Sequence, residues 1–94
     1  MSNYNIQTLI TSNKQAMLES SECGCIFCLK RYDPKLIDEY CQDIDKTTGL
    51  WENCTAICYY CSVDSVVPNS LFDYTDGILL EMRNIRFKGY HFDD

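Results

Sequence analysis

Seven cysteines are the residues of this 94-residue chain whose type and spacing could do chemistry. Four of them form two C-x-x-C pairs with 29 residues between the pairs. Two residues between cysteines let both sulfurs face one side of a tight turn, here called a knuckle, and two knuckles complete the tetrahedron that Zn²⁺ prefers. The spacing therefore predicts one structural zinc ion. Its predicted ligands are Cys25, Cys28, Cys58 and Cys61.

The first knuckle offers a second sulfur. Only Gly24 separates Cys23 from Cys25, so either cysteine could pair with Cys28. Cys25 is preferred, with Cys23 as the alternative ligand, because Cys25 repeats the spacing of the second knuckle. Gly24 is expected to take a backbone angle that residues with a Cβ avoid.

The cysteine count also bears on the compartment. An odd number of cysteines, and a start without a basic segment followed by an apolar one, argue against a secreted disulfide framework. We therefore expect a cytoplasmic protein in which Cys41 and Cys54 are buried free thiols. No stretch approaches the roughly 18 apolar residues of a membrane span, so no membrane association is expected. The alternative to a structural zinc site is thiol redox chemistry at one C-x-x-C pair. A strongly lowered thiol pKa at Cys25 or Cys58 would be the sign of it.

The elements that position the knuckles are expected to be short. Caps and apolar periodicity predict three helices, over residues 12–20, 34–41 and 76–87. Strand-like runs are predicted over 55–57 and 62–67. The polar residues 42–53 are expected to form a loop or a hairpin tip. Residues 1–11 are predicted to be a loose arm, although a helical turn or a strand fits them equally well.

Local signals mark where two of the helices begin. Asp33 before Pro34 is a typical helix start, and Thr75 or Asp76 is expected to cap the last helix. The inward stripe of that helix is predicted to be Ile78, Met82 and Ile85, with Leu79 beside it. The predicted architecture is one α+β domain over residues 1–94. In this predicted domain, one zinc ion joins two knuckles like those of a zinc ribbon, and helices lie on either side of them in the sequence.

The two cysteine segments resemble a family of small bacterial proteins usually labelled only "cytoplasmic protein". Its members show a C-G-C-x-x-C-L segment, as in residues 23–29, and a T-A-x-C-P-x-C-G-x-D-S-V segment, which residues 55–66 resemble. This chain has Tyr59 in place of Pro and Ser62 in place of Gly, and it is longer around 41–52. The resemblance covers about residues 12–92 and implies a cytoplasmic zinc-binding fold, a less rigid second knuckle, and no known activity.

The charge balance disfavours nucleic acid as the partner. The net charge is −6, the pI is about 4.5, and none of the segments 1–22, 23–61 and 62–94 is net basic. Binding to phosphates would need a basic block that releases counterions. The alternative function is therefore a nucleic-acid-associated zinc ribbon that uses a local patch. Its candidate phosphate contacts are Lys30, Arg31 and Lys35, and Tyr59 or Tyr60 would stack on bases.

The usual groups of an enzyme are missing from the sequence. His91 is the only histidine, and a terminal, exposed or partly packed side chain is the expected role for it. The chain has no phosphate-binding glycine loop, no H-E-x-x-H and no G-x-S-x-G. A zinc ion held by four thiolates has no open position for a substrate or water. We therefore predict no catalytic residues and no enzymatic activity.

An acidic scaffold without catalytic groups suggests a protein that binds another protein. The predicted function is a cytosolic, zinc-binding interaction module, for example an antagonist such as an immunity protein that binds a basic partner. Acidic and aromatic side chains are the candidate contacts, since Tyr and Trp are common at binding hot spots. These candidates are Asp38, Glu39, Asp43, Asp45, Trp51, Tyr59 and Tyr60.

Overall fold

Residues 5–88 are described by the computed structural model, and they form an α+β fold with two antiparallel sheets, which confirms the predicted class. This part of the chain has three α-helices: α1 (Ile6–Ile10), α2 (Lys14–Leu18) and α3 (Asp76–Arg86). Its five strands are β1 (Cys23–Cys25), β2 (Arg31–Tyr32), β3 (Tyr40–Ile44), β4 (Trp51–Ala56) and β5 (Val66–Pro68). His91 lies outside the described residues.

The three-stranded sheet brings the two knuckles together. Its strand order is β2-β1-β5, so β1 lies in the centre, with Cys23 opposite Tyr32 on one side and Cys25 opposite Val66 on the other. The first knuckle connects β1 to β2, and the second lies between β4 and β5. A backbone hydrogen bond of 3.0 Å from Ile26 to Ser65 joins the two connections directly.

Gly24 is required for packing rather than for an unusual backbone angle. Its φ is not in the left-handed region, which Gly49 (φ 72°) does occupy, so the predicted angle is wrong. A Cβ at position 24 would lie 2.8 Å from Leu79 Cδ1 and 3.1 Å from the ring of Tyr74. The central strand is therefore a place where the backbone is closely approached by side chains, which only glycine allows.

The helix predicted over 34–41 is wrong. Asp33 does cap a turn, since its carboxylate accepts a hydrogen bond of 2.9 Å from the Lys35 N–H, but the turn is a 3₁₀ helix that spans only Pro34–Leu36. Tyr40 then begins β3, which pairs with β4 in a separate two-stranded sheet. These ladder bonds reach across the sequence, and they prevail over a weak local helix preference.

The second sheet is a hairpin that extends further than the sequence indicated. Residues 42–53, predicted as a loop or hairpin tip, contain the end of β3 and the start of β4, and the tip itself spans residues 45–50. The ladder begins at Tyr40 opposite Ala56 and ends at Ile44 opposite Trp51. The strand predicted over 62–67 is observed only from Val66.

The helices agree better with the sequence. α3 matches the prediction closely and is capped by Thr75, whose side-chain oxygen accepts a hydrogen bond from the Ile78 N–H. Its buried face is formed by Leu79 and Met82, whereas Ile85 is 49% exposed, so the predicted stripe is partly wrong. α2 is shorter than the predicted 12–20. No helix in the described part of the chain is both long and apolar enough to cross a membrane.

Of the alternatives for the N-terminal segment, the structure shows a short helix. α1 buries Ile6 and Ile10 against Val67 of the sheet and Met82 of α3, in an apolar cluster separate from the one around the knuckles. Residues 1–4 lie outside the described part of the chain.

Candidate metal centre

The two knuckles bring four sulfur atoms together at one end of the three-stranded sheet. The Sγ atoms of Cys25, Cys28, Cys58 and Cys61 all lie within 4.8 Å of one another. The Sγ of Cys25 lies 3.5 Å from that of Cys61, and the Sγ of Cys28 lies 3.7 Å from that of Cys58. Four sulfurs at about 2.3 Å from a common tetrahedral centre would be separated by about 3.8 Å. The set therefore has the dimensions of a four-thiolate metal site.

The alternative ligand, Cys23, points elsewhere. It is fully buried on β1, and its thiol donates a hydrogen bond to the Tyr32 carbonyl across the sheet at 3.5 Å. Burial raises the pKa of Cys23 to about 12, which keeps it as a neutral thiol. Between the two sulfurs that the sequence left open, the structure places Cys25 in the cluster.

The two knuckles share one backbone geometry, although their sequences differ. In each, the carbonyl of the first cysteine accepts a hydrogen bond from the N–H four residues later, and its own N–H donates to the carbonyl five residues later. The bonds join Cys25 to Leu29 and Lys30 at 2.9 and 3.0 Å, and Cys58 to Ser62 and Val63 at 3.0 Å each. This repeated turn explains why each C-x-x-C pair directs both sulfurs to one side.

Backbone amides also point at the sulfurs. The Phe27 N–H donates to Cys25 Sγ at 3.3 Å, and the Tyr60 N–H donates to Cys58 Sγ at 3.4 Å. The buried hydroxyl of Ser65 lies 3.5 Å from Cys25 Sγ. Hydrogen bonds of this kind stabilise the thiolate form and fix the direction of a ligand sulfur.

The fourth position after each first cysteine adopts a left-handed conformation. Leu29 has a φ of 65° and Ser62 a φ of 63°, which is unfavourable for residues with a Cβ. Leu29 packs partly against the apolar cluster of α1 and α3. Ser62, by contrast, is exposed.

The thiols influence one another's ionisation before any metal binds. The pKa of Cys58 is lowered to about 4, mainly by its hydrogen bond with Cys25, whereas the pKa of Cys25 is raised by that bond and by burial. Burial raises the pKa of Cys61 to about 11. Because Cys58 is almost completely buried, its thiolate faces its neighbouring cysteines rather than solvent. That placement fits a metal ligand better than a nucleophile for an external substrate.

The remaining two cysteines lie on the hairpin. Cys54 is buried, as predicted, and its thiol donates to the Asp43 carbonyl at 3.5 Å. Cys41 is only partly buried, so that part of the prediction is wrong. None of the seven cysteines forms a disulfide.

The structure divides the predicted partner-binding residues into separate groups. Trp51 is 68% exposed and lies on the outer face of the hairpin beside its cross-strand neighbour Ile44. Asp43 and Asp45 belong to the opposite, half-buried face, because successive strand residues alternate between faces. The predicted contact surface, which combines these acidic residues with the nearby Trp51, is therefore not continuous.

Asp43 and Asp45 hold the hairpin together. The Asp43 carboxylate accepts hydrogen bonds from the Ile44 N–H at 2.8 Å and the Thr55 hydroxyl at 3.0 Å. The Asp45 carboxylate accepts from the Thr47 N–H at 2.7 Å and so shapes the tip. Asp38 and Glu39, just before β3, are exposed.

Sequence reasoning missed two apolar residues near Trp51. Ile44 and Leu50 are both more than half exposed and extend the apolar surface at the hairpin tip. Neither strand alternates regularly between apolar and polar residues, so the sequence held no clear signal for this surface. We call Ile44, Leu50 and Trp51 the apolar tip.

The aromatic residues of the second knuckle form a group with Tyr32. Tyr59 and Tyr60 are half exposed, and the Tyr60 ring lies 5.1 Å from both the Tyr32 and the Tyr59 ring. The Tyr59 N–H donates to the Tyr32 hydroxyl at 3.1 Å, which ties the knuckle to β2. The Lys30 ammonium lies 5.5 Å from the centre of the Tyr60 ring.

One of the predicted phosphate contacts is already paired. Arg31 donates to Glu22 and to Asp76 at 2.9 Å each. These bonds neutralise its charge locally and weaken the basic patch that nucleic-acid binding would need.

Comparison of the chain with family models, curated proteins and solved structures finds no match. The resemblance of the two cysteine segments to the bacterial family therefore stays a prediction, and the function rests on the geometry of this chain alone.

Proposed function

We propose that this protein is a zinc-binding, non-enzymatic interaction module of the cytosol, built as a zinc-ribbon-like pair of knuckles. The observation that supports it best is the four-sulfur cluster. Thiolates are soft ligands that favour Zn²⁺ over Mg²⁺ or Ca²⁺, and a tetrahedral set of four suits a structural ion. In such a site the metal contributes to folding, and no coordination position is left for a reacting molecule.

The hairpin is the candidate surface for a protein partner. Residues 38–56 contain five carboxylates and one lysine, which is a net charge of −4 out of the total of −6. The exposed apolar tip of the same hairpin adds an aromatic anchor of the kind found at hot spots. A basic protein with an apolar pocket for Trp51 is the partner that fits both features, as expected for an antagonist of a basic domain.

The metal part of the proposal is tested by native mass spectrometry and elemental analysis of protein purified without added metal. One zinc per chain is expected in the wild type. Cys61→Ser is expected to lose the metal, whereas Cys23→Ser should keep it because that sulfur lies outside the cluster. Loss of zinc from Cys23→Ser alone would contradict the proposed ligand set, and iron in place of zinc would contradict the proposed metal.

The interaction part is tested by affinity purification from the native host. A basic protein that is recovered with the wild type should be lost with Trp51→Ala and with the double variant Asp38→Lys/Glu39→Lys. The matched control is Asp73→Lys/Glu81→Lys, which makes the same charge change at two exposed positions outside the hairpin. Equal loss in the control would mean that only total charge matters. Full binding by Trp51→Ala would eliminate the hairpin as the contact.

A nucleic-acid-associated zinc ribbon is the second candidate. It is favoured by the position of Lys30 over the exposed Tyr60 ring, since bases stack on aromatic side chains and phosphates attract lysine. Binding of single-stranded RNA at low salt, with a steep decrease as salt rises and a further loss in Tyr60→Ala, would support it. Absence of binding at low salt would remove it.

A further inference from the structure

We propose that the four-cysteine cluster is also a site of reversible oxidation, at which hydrogen peroxide converts the four thiolates into two disulfides across the knuckles and releases the metal. The predicted pairs are Cys25–Cys61 and Cys28–Cys58. This inference rests on the proposed zinc site and adds a regulation of that site.

The distances place the two predicted pairs close together. The sulfurs of Cys25 and Cys61 are 3.5 Å apart, and those of Cys28 and Cys58 are 3.7 Å apart. A disulfide bond is about 2.05 Å long, so the two sulfurs of each pair need to approach each other by about 1.5 Å. Both pairs join opposite knuckles, so the two turns stay connected after the metal has left.

Burial assigns a different role to each member of a pair. Cys28 and Cys61 are partly exposed, whereas Cys25 and Cys58 are almost completely buried. A peroxide molecule therefore reaches Cys28 and Cys61 first. The buried sulfur of the opposite knuckle is then in place to attack the oxidised one. Each pair thus combines a reactive cysteine with a resolving cysteine.

The chemistry of each pair is a two-electron oxidation. The exposed thiolate attacks one oxygen of the peroxide, the O–O bond breaks, and the product is a sulfenic acid plus hydroxide. The buried thiolate attacks the sulfenic sulfur, the S–O bond breaks, and a second hydroxide leaves. Two protons convert both hydroxides to water. Each disulfide therefore uses two thiolates, one peroxide and two protons, and Zn²⁺ leaves without a change in oxidation state.

The test uses the zinc-loaded, full-length protein, hydrogen peroxide as oxidant, and a chromophoric chelator that reports released zinc. Trypsin then leaves the cysteines of the first knuckle on residues 15–30 and those of the second on residues 47–83, because no lysine or arginine separates them within each segment. The expected product is one cross-linked pair of these peptides that has lost four hydrogens, formed in step with zinc release. Dithiothreitol and added zinc should restore the starting protein.

A second digestion assigns the pairs. Chymotrypsin cuts after Phe27 and after Tyr60, and so separates the two cysteines of each knuckle. Links from Cys25 to Cys61 and from Cys28 to Cys58 support the proposal. Two separate peptides that have each lost two hydrogens would show disulfides within the knuckles and overturn it. Sulfinic acids without disulfides, or a link through Cys23 or Cys54, would overturn it as well.

The control is Cys41→Ser, which removes a partly exposed thiol outside the cluster. Zinc release at the wild-type rate, within about twofold, is expected. Much slower release would overturn the proposal, because the reactive thiol would then lie on the hairpin.

A wild-type protein that binds no zinc would refute the proposed function but would not by itself decide this inference. The pairing is then read on the reduced metal-free chain, where the same cross-linked peptides support this inference and their absence overturns it.

Discussion

Ser62 and Leu29 occupy equivalent places in the two knuckles but have different surroundings. Both have a φ near 65°, and at such an angle a Cβ is unfavourable whereas glycine is not. Ser62 is exposed, so nothing offsets the cost there. Ser62→Gly is expected to raise the free energy of unfolding of the zinc-loaded protein by about 1 kcal/mol, as measured by denaturant titration. Leu29→Gly should instead lower it, because Leu29 also packs on the apolar cluster. Stabilisation by both changes would mean that this packing is unimportant.

Gly24 gives a second prediction for a single residue. In Gly24→Ala the new methyl group would lie 2.8 Å from Leu79 Cδ1, and the fully buried Leu79 has little room to move. We expect a loss of about 1–3 kcal/mol of stability, the usual cost of overpacking. Gly77→Ala is the control, since its nearest neighbour is at 3.8 Å and alanine favours the helix. It should leave stability equal or higher, and an equal loss in both variants would contradict the close approach at Gly24.

Metal affinity is predicted to depend steeply on pH. The pKa values of Cys25 and Cys61 are raised above the ordinary thiol value, so at neutral pH both hold a proton that binding must release. Lower pH therefore opposes binding and higher pH favours it. The apparent association constant should rise by at least about 100-fold per pH unit near pH 7, because each of these two protons contributes a factor of ten. Competition with a chromophoric chelator at pH 6.5, 7.0 and 7.5 measures it, and a change below tenfold per unit would show that these sulfurs are already ionised.

At the scale of the elements, Asn13 connects one helix and two strands. Its buried side chain donates to the carbonyls of Leu9 and Val66 at 3.1 and 2.8 Å, and accepts from the Ala56 N–H at 3.0 Å. It thereby joins α1, β5 and β4, and supports the hairpin from the side that faces the protein. Asn13→Ala leaves these backbone groups unpaired, and we expect a loss of about 2–4 kcal/mol in a denaturant titration.

The control for Asn13 is Asn84→Ala on the exposed surface of α3. That change should alter stability by less than about 0.5 kcal/mol, since surface substitutions in helices have small effects. If Asn13→Ala is equally mild, water replaces the lost side chain and the three elements are held by apolar packing instead.

The elements whose sequence signals are local were predicted correctly. The prediction was wrong where the secondary structure depends on pairing between two strands. A C-x-x-C turn and the Thr75 cap of α3 each depend on residues within one turn, so both were found. β3 depends on its pairing with β4 across the tip at residues 45–50. The Asp33-Pro34 signal favoured a helix over 34–41, whereas the observed 3₁₀ turn ends at Leu36. Asp43 and Trp51 were assigned to one face because the strand alternation that separates them was not recognised.

At the scale of the whole molecule, an acidic segment and an exposed apolar group lie next to each other. Residues 38–56, which comprise the hairpin and the two residues before it, carry −4 of the net charge of −6 and include the apolar tip, whereas the knuckles and α3 contribute to the two buried clusters. Because the hairpin forms its own two-stranded sheet, its outer face can contact a partner without disturbing the metal centre. Under the proposed function, stability and recognition would thus depend on different parts of one small chain.

Metal removal is expected to unfold much of the protein. The cluster around the knuckles consists of Met17, Cys23, Cys25, Tyr32, Ile37, Ala56, Cys58 and Val66, and it includes two of the proposed ligands. A structural zinc ion contributes about 10–16 kcal/mol in small zinc-binding peptides. That is as large as the whole stability of a typical domain, about 5–15 kcal/mol. In a chain of this length, the hydrophobic core alone gives only marginal stability unless a metal ion or another cross-link adds to it.

The second cluster should not survive alone, because β1 links it to the first. Gly24 contacts Leu79 and Tyr74, while its neighbours Cys23 and Cys25 belong to the knuckle side. We therefore expect a strong zinc chelator to abolish slow hydrogen exchange in β1, β5 and α3 together. Zn²⁺ should restore it, and Mg²⁺ should not. If α3 stayed protected while β1 and β5 became exchangeable, the two clusters would be independent folding units and zinc would stabilise only one of them.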